Sequence, residues 1–417
     1  MSQSNNFITN HVHLCLENLV NKLHIRNYTI VLSAGSEIGS NFSGVIAKAT
    51  IKGEDENGKK MVRSFIIKSA PRDEAYRTVG LINNVFNREI YIYKKVLHEF
   101  DLLQKEKNVK NPFKSYPKYY ESSMNDMNEA VIMENVKDYG FVTHNRQKPL
   151  NYDHTLFVLR EYGKFHALSF AMRLHKPQLL KEMAENTQEN FFTTDQCAEM
   201  HNVFVQQSKR VLSAIDPIKE KILYERFKQF QNNMVDTVKS ALISDLSNPH
   251  FIITHGDCWT NNFLFKYDNS MNRHSPISVC ILDWQIAHYG SPAHDLSYFM
   301  FTSTDKSLRD HHYSSLMDEY YKSFSDFLKE LGGDPEKQFP FKTFQEHLKK
   351  YSVFGLYMTI ECLFIMTSDV EEIPNMHSIS QNDELSKQMK YDSKNVEAYN
   401  SRMKDIILDF VRLGYDF

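Results

Sequence analysis

The apolar positions change period along the chain. From Val12 to Leu23 they fall at helical spacing (Val12, Leu16, Leu19, Val20, Leu23), which predicts an amphipathic helix. Tyr28 to Leu32, Val45 to Ile51 and Val62 to Ile67 are alternating or β-branched runs and predict strands. Asn57-Gly58 lies between the last two and predicts a hairpin turn. Leu97 to Asn111 is charged and precedes Pro112 and Pro117, which predicts a helix end and a loop. Ala130-Val131-Ile132-Met133 predicts a buried strand, with Glu134-Asn135-Val136 as a hinge after it. From Tyr152 onward helical periods dominate, first in an amphipathic helix around Leu156 to Leu168. Residues 178–247 hold further helices with lysine- and glutamate-rich outer faces, and 307–330, 341–368 and 396–413 add more. The expected class is α+β, with a sheet-rich lobe over residues 1–135 and a larger helical lobe over 136–417.

Composition narrows the partners. Hydrophobic residues make up 41% and charged residues 24% of 417, as in an ordinary globular protein. The net charge is −3 and no basic stripe stands out, so nucleic acid is not an expected partner. The cysteines (Cys15, Cys197, Cys258, Cys280, Cys362) are scattered without a C-x-x-C pair, which argues against a zinc site or a disulfide framework. Reduced thiols, a polar N-terminus and the lack of a long apolar run make a cytoplasmic protein the expectation, with no membrane span and no obligate protein partner.

Two blocks carry the candidate chemistry. The first runs Ile252-Ile253-Thr254-His255-Gly256-Asp257-Cys258-Trp259-Thr260-Asn261-Asn262-Phe263; the second is Val279-Cys280-Ile281-Leu282-Asp283-Trp284-Gln285. Each sets a polar cluster beside a short apolar run, as a strand and its loop do. Phosphoryl transfer needs one carboxylate facing the attacking hydroxyl, and an amide oxygen with a second carboxylate to hold Mg²⁺. Asp257 suits the first role; Asn262 and Asp283 suit the second. The competing reading of either block alone is a polar turn before a core strand.

Upstream features fit the same chemistry. Gly35 to Gly44 is rich in small residues, and Ser40, Asn41 and Ser43 are candidate phosphate contacts. This loop is neither a Walker loop nor the protein-kinase G-x-G-x-x-G. Lys68 ends an apolar strand and could reach phosphates if a carboxylate fixes it, and Glu89 is the candidate carboxylate. Taken singly, both are ordinary surface charges.

The chain resembles the ecdysteroid-kinase-like family, within the aminoglycoside phosphotransferase and choline kinase branch of the protein-kinase-like fold. The resemblance rests on His255-Gly256-Asp257-Cys258-Trp259-Thr260-Asn261-Asn262, Asp283-Trp284-Gln285 and Gly290-Ser291-Pro292-Ala293-His294-Asp295-Leu296. It implies a bilobal kinase fold, ATP and Mg²⁺ as cofactors, Lys68 paired with Glu89, and adenine held by backbone at Met133, Glu134, Asn135 and Val136. Asn135 stands where the family commonly has Asp. The implied acceptor is a small-molecule alcohol, bulky and largely apolar: an ecdysteroid or a hydroxylated xenobiotic.

Gly256 stands where protein kinases carry the arginine of His-Arg-Asp, and no Ala-Pro-Glu segment follows Asp283. Both features favour a small acceptor over a peptide. Asp295 and His255 are expected to brace the loop, and His166 to be a satisfied core histidine. Two rival readings stay open: a choline- or aminoglycoside-type kinase, and a non-catalytic pseudokinase that binds a ligand or partner.

Overall fold

The computed structural model describes residues 8–35, 44–268, 273–374 and 385–417. Helix α1 (Asn10–Lys22) is capped by Thr9, whose hydroxyl accepts from the Val12 amide. Strands β1 (Arg26–Ala34), β2 (Val45–Glu54) and β3 (Lys60–Ser69) follow as an antiparallel meander. The β2–β3 turn falls at the expected Asn57-Gly58, but its loop spans residues 55–59. Asp55 tightens it by accepting from the Asn57 and Lys59 amides.

Helices α2 (Glu74–Val79), α3 (Ile82–Tyr91) and α4 (Leu97–Glu106) come next, with a π-helical turn over Ile92–Val96 between the last two. The charged stretch expected to be a helix end and loop is therefore helical as far as Glu106. Its charges sit on the outer face, while Leu97, Phe100 and Leu103 are buried. Strand β4 (Tyr119–Ser123) was not foreseen from the sequence pattern. It pairs with β5 (Ala130–Glu134) and completes a five-stranded sheet of order β1-β2-β3-β5-β4.

Strand alternation decides what each face of the sheet meets. Ala47, Ala49, Ile51, Phe65, Ile67, Ala130 and Ile132 pack under α1 against Val12, Leu16, Leu19 and Val20. Val131 and Met133 point the other way and join the main core with Ile66 packed on it. Lys68 shares that second face, opposite Val131 in register.

After a 3₁₀ turn (Val136–Tyr139) and β6 (Phe141–Thr143) the chain is mostly helical. It runs through α5 (Tyr152–His175), α6 (Pro177–Asn186), α7 (Ala198–Ser213), α8 (Lys221–Leu242) and β7 (Ile252–Ile253). Strands β8 (Phe263–Lys266), β9 (Ser278–Ile281) and β10 (Tyr289–Gly290) come next. The remaining helices are α9 (Pro292–Ser303), α10 (Lys306–Glu330), α11 (Pro335–Gln338), α12 (Phe341–Tyr351), α13 (Val353–Thr367), α14 (Leu385–Gln388) and α15 (Val396–Leu413). The α+β class read from the sequence holds: an antiparallel sheet at the N-terminal end and a mostly helical remainder.

Helix α5 is amphipathic over its first turns, as its spacing predicts, with Thr155, Val158, Leu159, Tyr162 and Gly163 buried and Arg160 exposed, and from Phe165 to Met172 it is buried on all sides. Helix α13 is likewise buried on nearly all sides. Its Gly355 lies against Ser297 of α9, where an added Cβ would stand 2.5 Å from the Ser297 carbonyl carbon. That close approach sets α13 beside the polar loop described next. Among the described residues no helix is long and apolar enough to cross a membrane.

Candidate active site

The two candidate blocks fold into facing loops. In the first, β7 leads to His255, Gly256 and Asp257, and a 3₁₀ turn over Thr260–Asn262 feeds β8. In the second, β9 ends at Ile281, so Asp283 lies just beyond the strand with a left-handed φ of 64°. A backbone bond from the Leu282 amide to the Asn262 carbonyl (2.8 Å) ties the loops together. Gly256 has φ 87°, and a Cβ there would meet the Ile286 carbonyl oxygen at 2.2 Å. Only glycine lets the first loop pass so close to the second.

A buried network holds this arrangement from behind. Ser291 caps α9 and Pro292 occupies its first turn, as a helix start prefers. That start aims Asp295 back at the loop. Asp295 Oδ2 accepts from the His255 amide (2.7 Å) and Oδ1 from the Gly256 amide (2.9 Å). His166 Nε2 (3.0 Å) and the Cys258 thiol (3.2 Å) complete its shell. Burial alone would raise Asp295, but the His166 contact and the backbone donors outweigh it and hold the carboxyl far below the usual range. His255 is fully buried, and burial pushes its imidazole down, toward the neutral form. Its Nε2 faces the carbonyls of Leu282 (2.8 Å) and Asp283 (3.0 Å) and must carry the proton. Nδ1 then accepts from the Tyr162 hydroxyl at 2.9 Å.

In front of the loop lies a second polar cluster. Lys68 Nζ is 2.9 Å from Glu89 Oε2 and 2.8 Å from Asp283 Oδ1. Burial would lower the Lys68 ammonium, but Asp283 and Glu89 outweigh it and hold the group above the ordinary lysine value. Glu89 is itself raised, by burial first and then by Asp283, against the pull of Lys68. Arg88, next to Glu89, anchors α3 to the far loops through the carbonyls of Ala287, Thr187 (3.3 Å) and Gln188 (2.8 Å).

Asp257 is held at both oxygens. Asn262 Nδ2 donates to Oδ2 (2.7 Å) and to the Asp257 carbonyl (2.9 Å), while the Tyr298 hydroxyl donates to Oδ1 (3.0 Å). Burial and the nearby Asp283 nevertheless raise its carboxyl to about 7. The Tyr298 hydroxyl also lies 2.9 Å from Cys362 Sγ on α13. Burial holds the Tyr298 phenol well above its usual value, so it keeps its proton and remains a donor.

The donor set fits a hard cation. Asn262 Nδ2 must face Asp257, because both of its partners there are acceptors, and this leaves the amide oxygen on the opposite side. That oxygen and the Asp283 carboxylate are the ligand types Mg²⁺ takes, in the small number it needs from protein. Among the described residues no group of three His, Cys, Asp or Glu side chains could hold a metal.

The expected hinge follows β5. Asn135 Nδ2 donates to Ser64 Oγ and Asp138 Oδ1, both at 2.8 Å. Val136 packs with Leu264 and Cys280, with Phe141 and Leu282 against them, so an apolar floor lies between the hinge and the loops of Asn262 and Asp283. Met133 and Glu134 close β5 in register with Ile66 and Phe65. Ser40, Asn41 and Ser43 lie outside the described residues. Gly44, just after them, stands beside Lys68, whose Cγ would be 3.6 Å from an added Cβ.

The structure therefore brings Lys68, Glu89, Asp257, Asn262 and Asp283 into one connected polar cluster. Sequence reading missed Tyr298, Cys362 and Arg88. For Tyr298 a signal was present: it lies three residues after Asp295, one helical step along the same face.

An apolar hinge floor, a buried lysine–glutamate pair and two facing acidic loops are the parts of a kinase-like cleft. The ecdysteroid kinase-like family model matches residues 38–333, and the chain belongs to that family. Membership supports a small-molecule kinase, that is, a phosphotransferase. No curated protein matches the chain significantly by sequence. Among solved structures, the GDP complex of wild-type aminoglycoside 2′-phosphotransferase-IIIa is similar at 13% identity and a TM-score of 0.41, over 85% of this chain and 90% of that one. So loose a likeness carries no weight for function.

Proposed function

We propose that the protein transfers the γ-phosphoryl group of ATP to a hydroxyl of a small, bulky and largely apolar alcohol, an ecdysteroid or a hydroxylated xenobiotic, in the cytoplasm. The observation that supports this best is the single cluster joining Lys68, Glu89, Asp283, Asn262 and Asp257. In this reading the lobes meet at about residue 135, and adenine rests on the floor of Val136, Leu264 and Cys280. Backbone groups at Met133 to Val136 hold its edge, and Ser40, Asn41 and Ser43 meet the phosphates.

Glu89 fixes Lys68, which orients the phosphates. Asn262 and Asp283 hold Mg²⁺, which when bound neutralises phosphate charge. Asp257 orients the acceptor hydroxyl and takes its proton as the new P–O bond forms and the bond to ADP breaks. Asn262 and Tyr298 keep the carboxylate in place. The transition state is loose, so positioning and charge neutralisation supply most of the rate. Membership of the ecdysteroid kinase-like family favours an apolar acceptor.

ATP consumption should be measured across ecdysteroids, phenolic glycosides, choline and aminoglycosides, with and without Mg²⁺. The expected result is Mg²⁺-dependent turnover with an apolar alcohol. Turnover of choline or aminoglycosides alone would reject the acceptor, and no acceptor-stimulated turnover at all would reject the kinase.

A further inference from the structure

The Tyr298 hydroxyl makes two contacts, Asp257 Oδ1 at 3.0 Å and Cys362 Sγ at 2.9 Å. It has one proton to give. Tyr298 is fully buried, so bulk water does not reach this hydroxyl. An ionised carboxylate can only accept, which directs the phenol proton to Asp257. The contact with sulfur then needs a proton from the other side, because two heteroatoms that face each other with lone pairs alone repel at that distance. The thiol supplies it. Burial raises the Cys362 thiol, and the Asp257 charge raises it further, so the proton stays on sulfur. Among the described residues the Tyr298 hydroxyl is the one hydrogen-bond partner of this thiol.

Helix packing puts the thiol there. Gly355 lets α13 lie against Ser297 of α9, where an added Cβ would stand 2.5 Å from the Ser297 hydroxyl oxygen. Cys362 follows about two turns later on the same face of α13. Tyr298 is the residue after Ser297, and its ring meets Phe354 edge-on at 6.1 Å. One helix therefore holds Tyr298 twice: Phe354 fixes the ring and Cys362 meets the hydroxyl at its tip. The other cysteine of the site, Cys258, sits behind the loop with its thiol 3.2 Å from Asp295. It has no part in this chain of contacts.

We propose that Cys362 is a positioning residue for phosphoryl transfer: its thiol donates to the Tyr298 hydroxyl and so holds the phenol proton on Asp257. This deepens the kinase reading of Asp257 and rests on it. With the ring fixed, the turn of the O–H bond is the one freedom left to the phenol, and the thiol removes it. Hydrogen bonds in series also polarise one another, so a phenol oxygen that accepts from sulfur donates more strongly to the carboxylate. Asn262 holds the other carboxylate oxygen at 2.7 Å. The carboxylate plane is then set from both sides, and its remaining lone pairs face the acceptor hydroxyl. Alanine at position 362 would leave the phenol oxygen without its donor, whereas serine would keep one.

The test uses the full chain, with Cys362→Ala and Cys362→Ser made both in the wild type and in the Tyr298→Phe background. Infrared difference spectra, with and without Cys362, isolate the S–H stretching band of this thiol from those of the other cysteines and need no turnover. A donating thiol absorbs at lower frequency than a free one. The band should be lowered in the wild type and should return to the free-thiol position in Tyr298→Phe. The serine variant serves as the blank where the alanine variant folds poorly. Turnover is then followed with ATP, Mg²⁺ and the alcohol that the acceptor screen selects. Cys362→Ala should lower kcat about threefold, the size of one weak hydrogen bond, with KM for ATP unchanged. Cys362→Ser should stay within about twofold of the wild type, because a hydroxyl still donates. In the Tyr298→Phe background Cys362→Ala should cost nothing more, since the two residues act through one contact.

A free-thiol band in the wild type, or the same band with and without the Tyr298 hydroxyl, would overturn the proposal. So would an equal loss of kcat in both backgrounds, or a serine variant as slow as the alanine one, because those are the marks of packing alone. A lowered, Tyr298-dependent band in a protein that turns over no acceptor would reject the kinase and leave the chain from thiol to phenol to carboxylate standing. Turnover that is insensitive to Cys362 would do the reverse.

Discussion

Asp257 and Asp295 lie on either side of one loop and are driven in opposite directions. Asp295 receives two backbone amides, a histidine and a thiol, and its charge is held far below the ordinary range. Asp257 receives two donors, faces the like charge of Asp283, and is raised to about 7. Burial penalises both. The number of donors and the sign of the nearest charge decide the outcome. A carboxylate whose hydrogen bonds are all filled has no affinity left for a proton and serves as a brace. One that is short of donors and set against another acid keeps its basicity, as a proton acceptor must.

The contrast breaks most visibly in turnover. Asp257→Asn should lower kcat by about three orders of magnitude, roughly 4 kcal/mol in the barrier. ATP affinity and melting temperature should stay near wild type. Near-normal turnover would remove Asp257 from the chemistry and with it the functional half of the comparison.

Asp295→Ala should act the other way, through stability. Removing one partner from a buried network leaves His255 and Gly256 amides without acceptors, a loss of about 3–5 kcal/mol by denaturant unfolding. The pH sign follows from its depressed folded-state value. The stability Asp295 contributes is present above the unfolded aspartate value of about 3.9 and is lost as pH falls below it toward the folded value. The variant should therefore show a shallower loss of stability with acid than the wild type. Identical acid dependence would mean that the network carries no such charge.

The cluster in front of the loop sharpens the comparison further. Lys68→Met and Glu89→Gln should each lower kcat/KM by about 10²-fold, and the double variant should be little worse than the worse single one. Fully additive losses would show two independent residues despite the 2.9 Å pair. The smallest effect should come from Tyr298→Phe, which keeps the ring and removes one donor to Asp257. A loss of about tenfold in kcat with KM for ATP unchanged is expected. No loss in kcat would show that Asn262 alone holds the carboxylate.

Local pattern was enough for much of this molecule. The alternation in β2 and β3 and the helical spacing in α1 follow from a period that one buried face imposes, and the unbroken apolar run of β5 from burial on both faces, so each was legible before any neighbour was known. Short-range chemistry was legible for the same reason. The spacing from His255 to Asn262 sits within one loop, and Ser291-Pro292 is a helix start written in sequence. Strand β4 was hidden because Tyr119 to Ser123 is polar and only half-buried, and β5 supplies its partner from across a turn. The all-round burial of α5 from Phe165 to Met172 was hidden because its neighbours come from distant segments.

The contact of Lys68 with Asp283 spans 215 residues and that of Tyr298 with Cys362 spans 64. Residue type and spacing determined which side chains could do chemistry. Only the packed chain decided how many donors, and which charges, each buried carboxyl would meet. Those neighbours set its basicity, because desolvation and Coulomb terms act through space and not along the sequence.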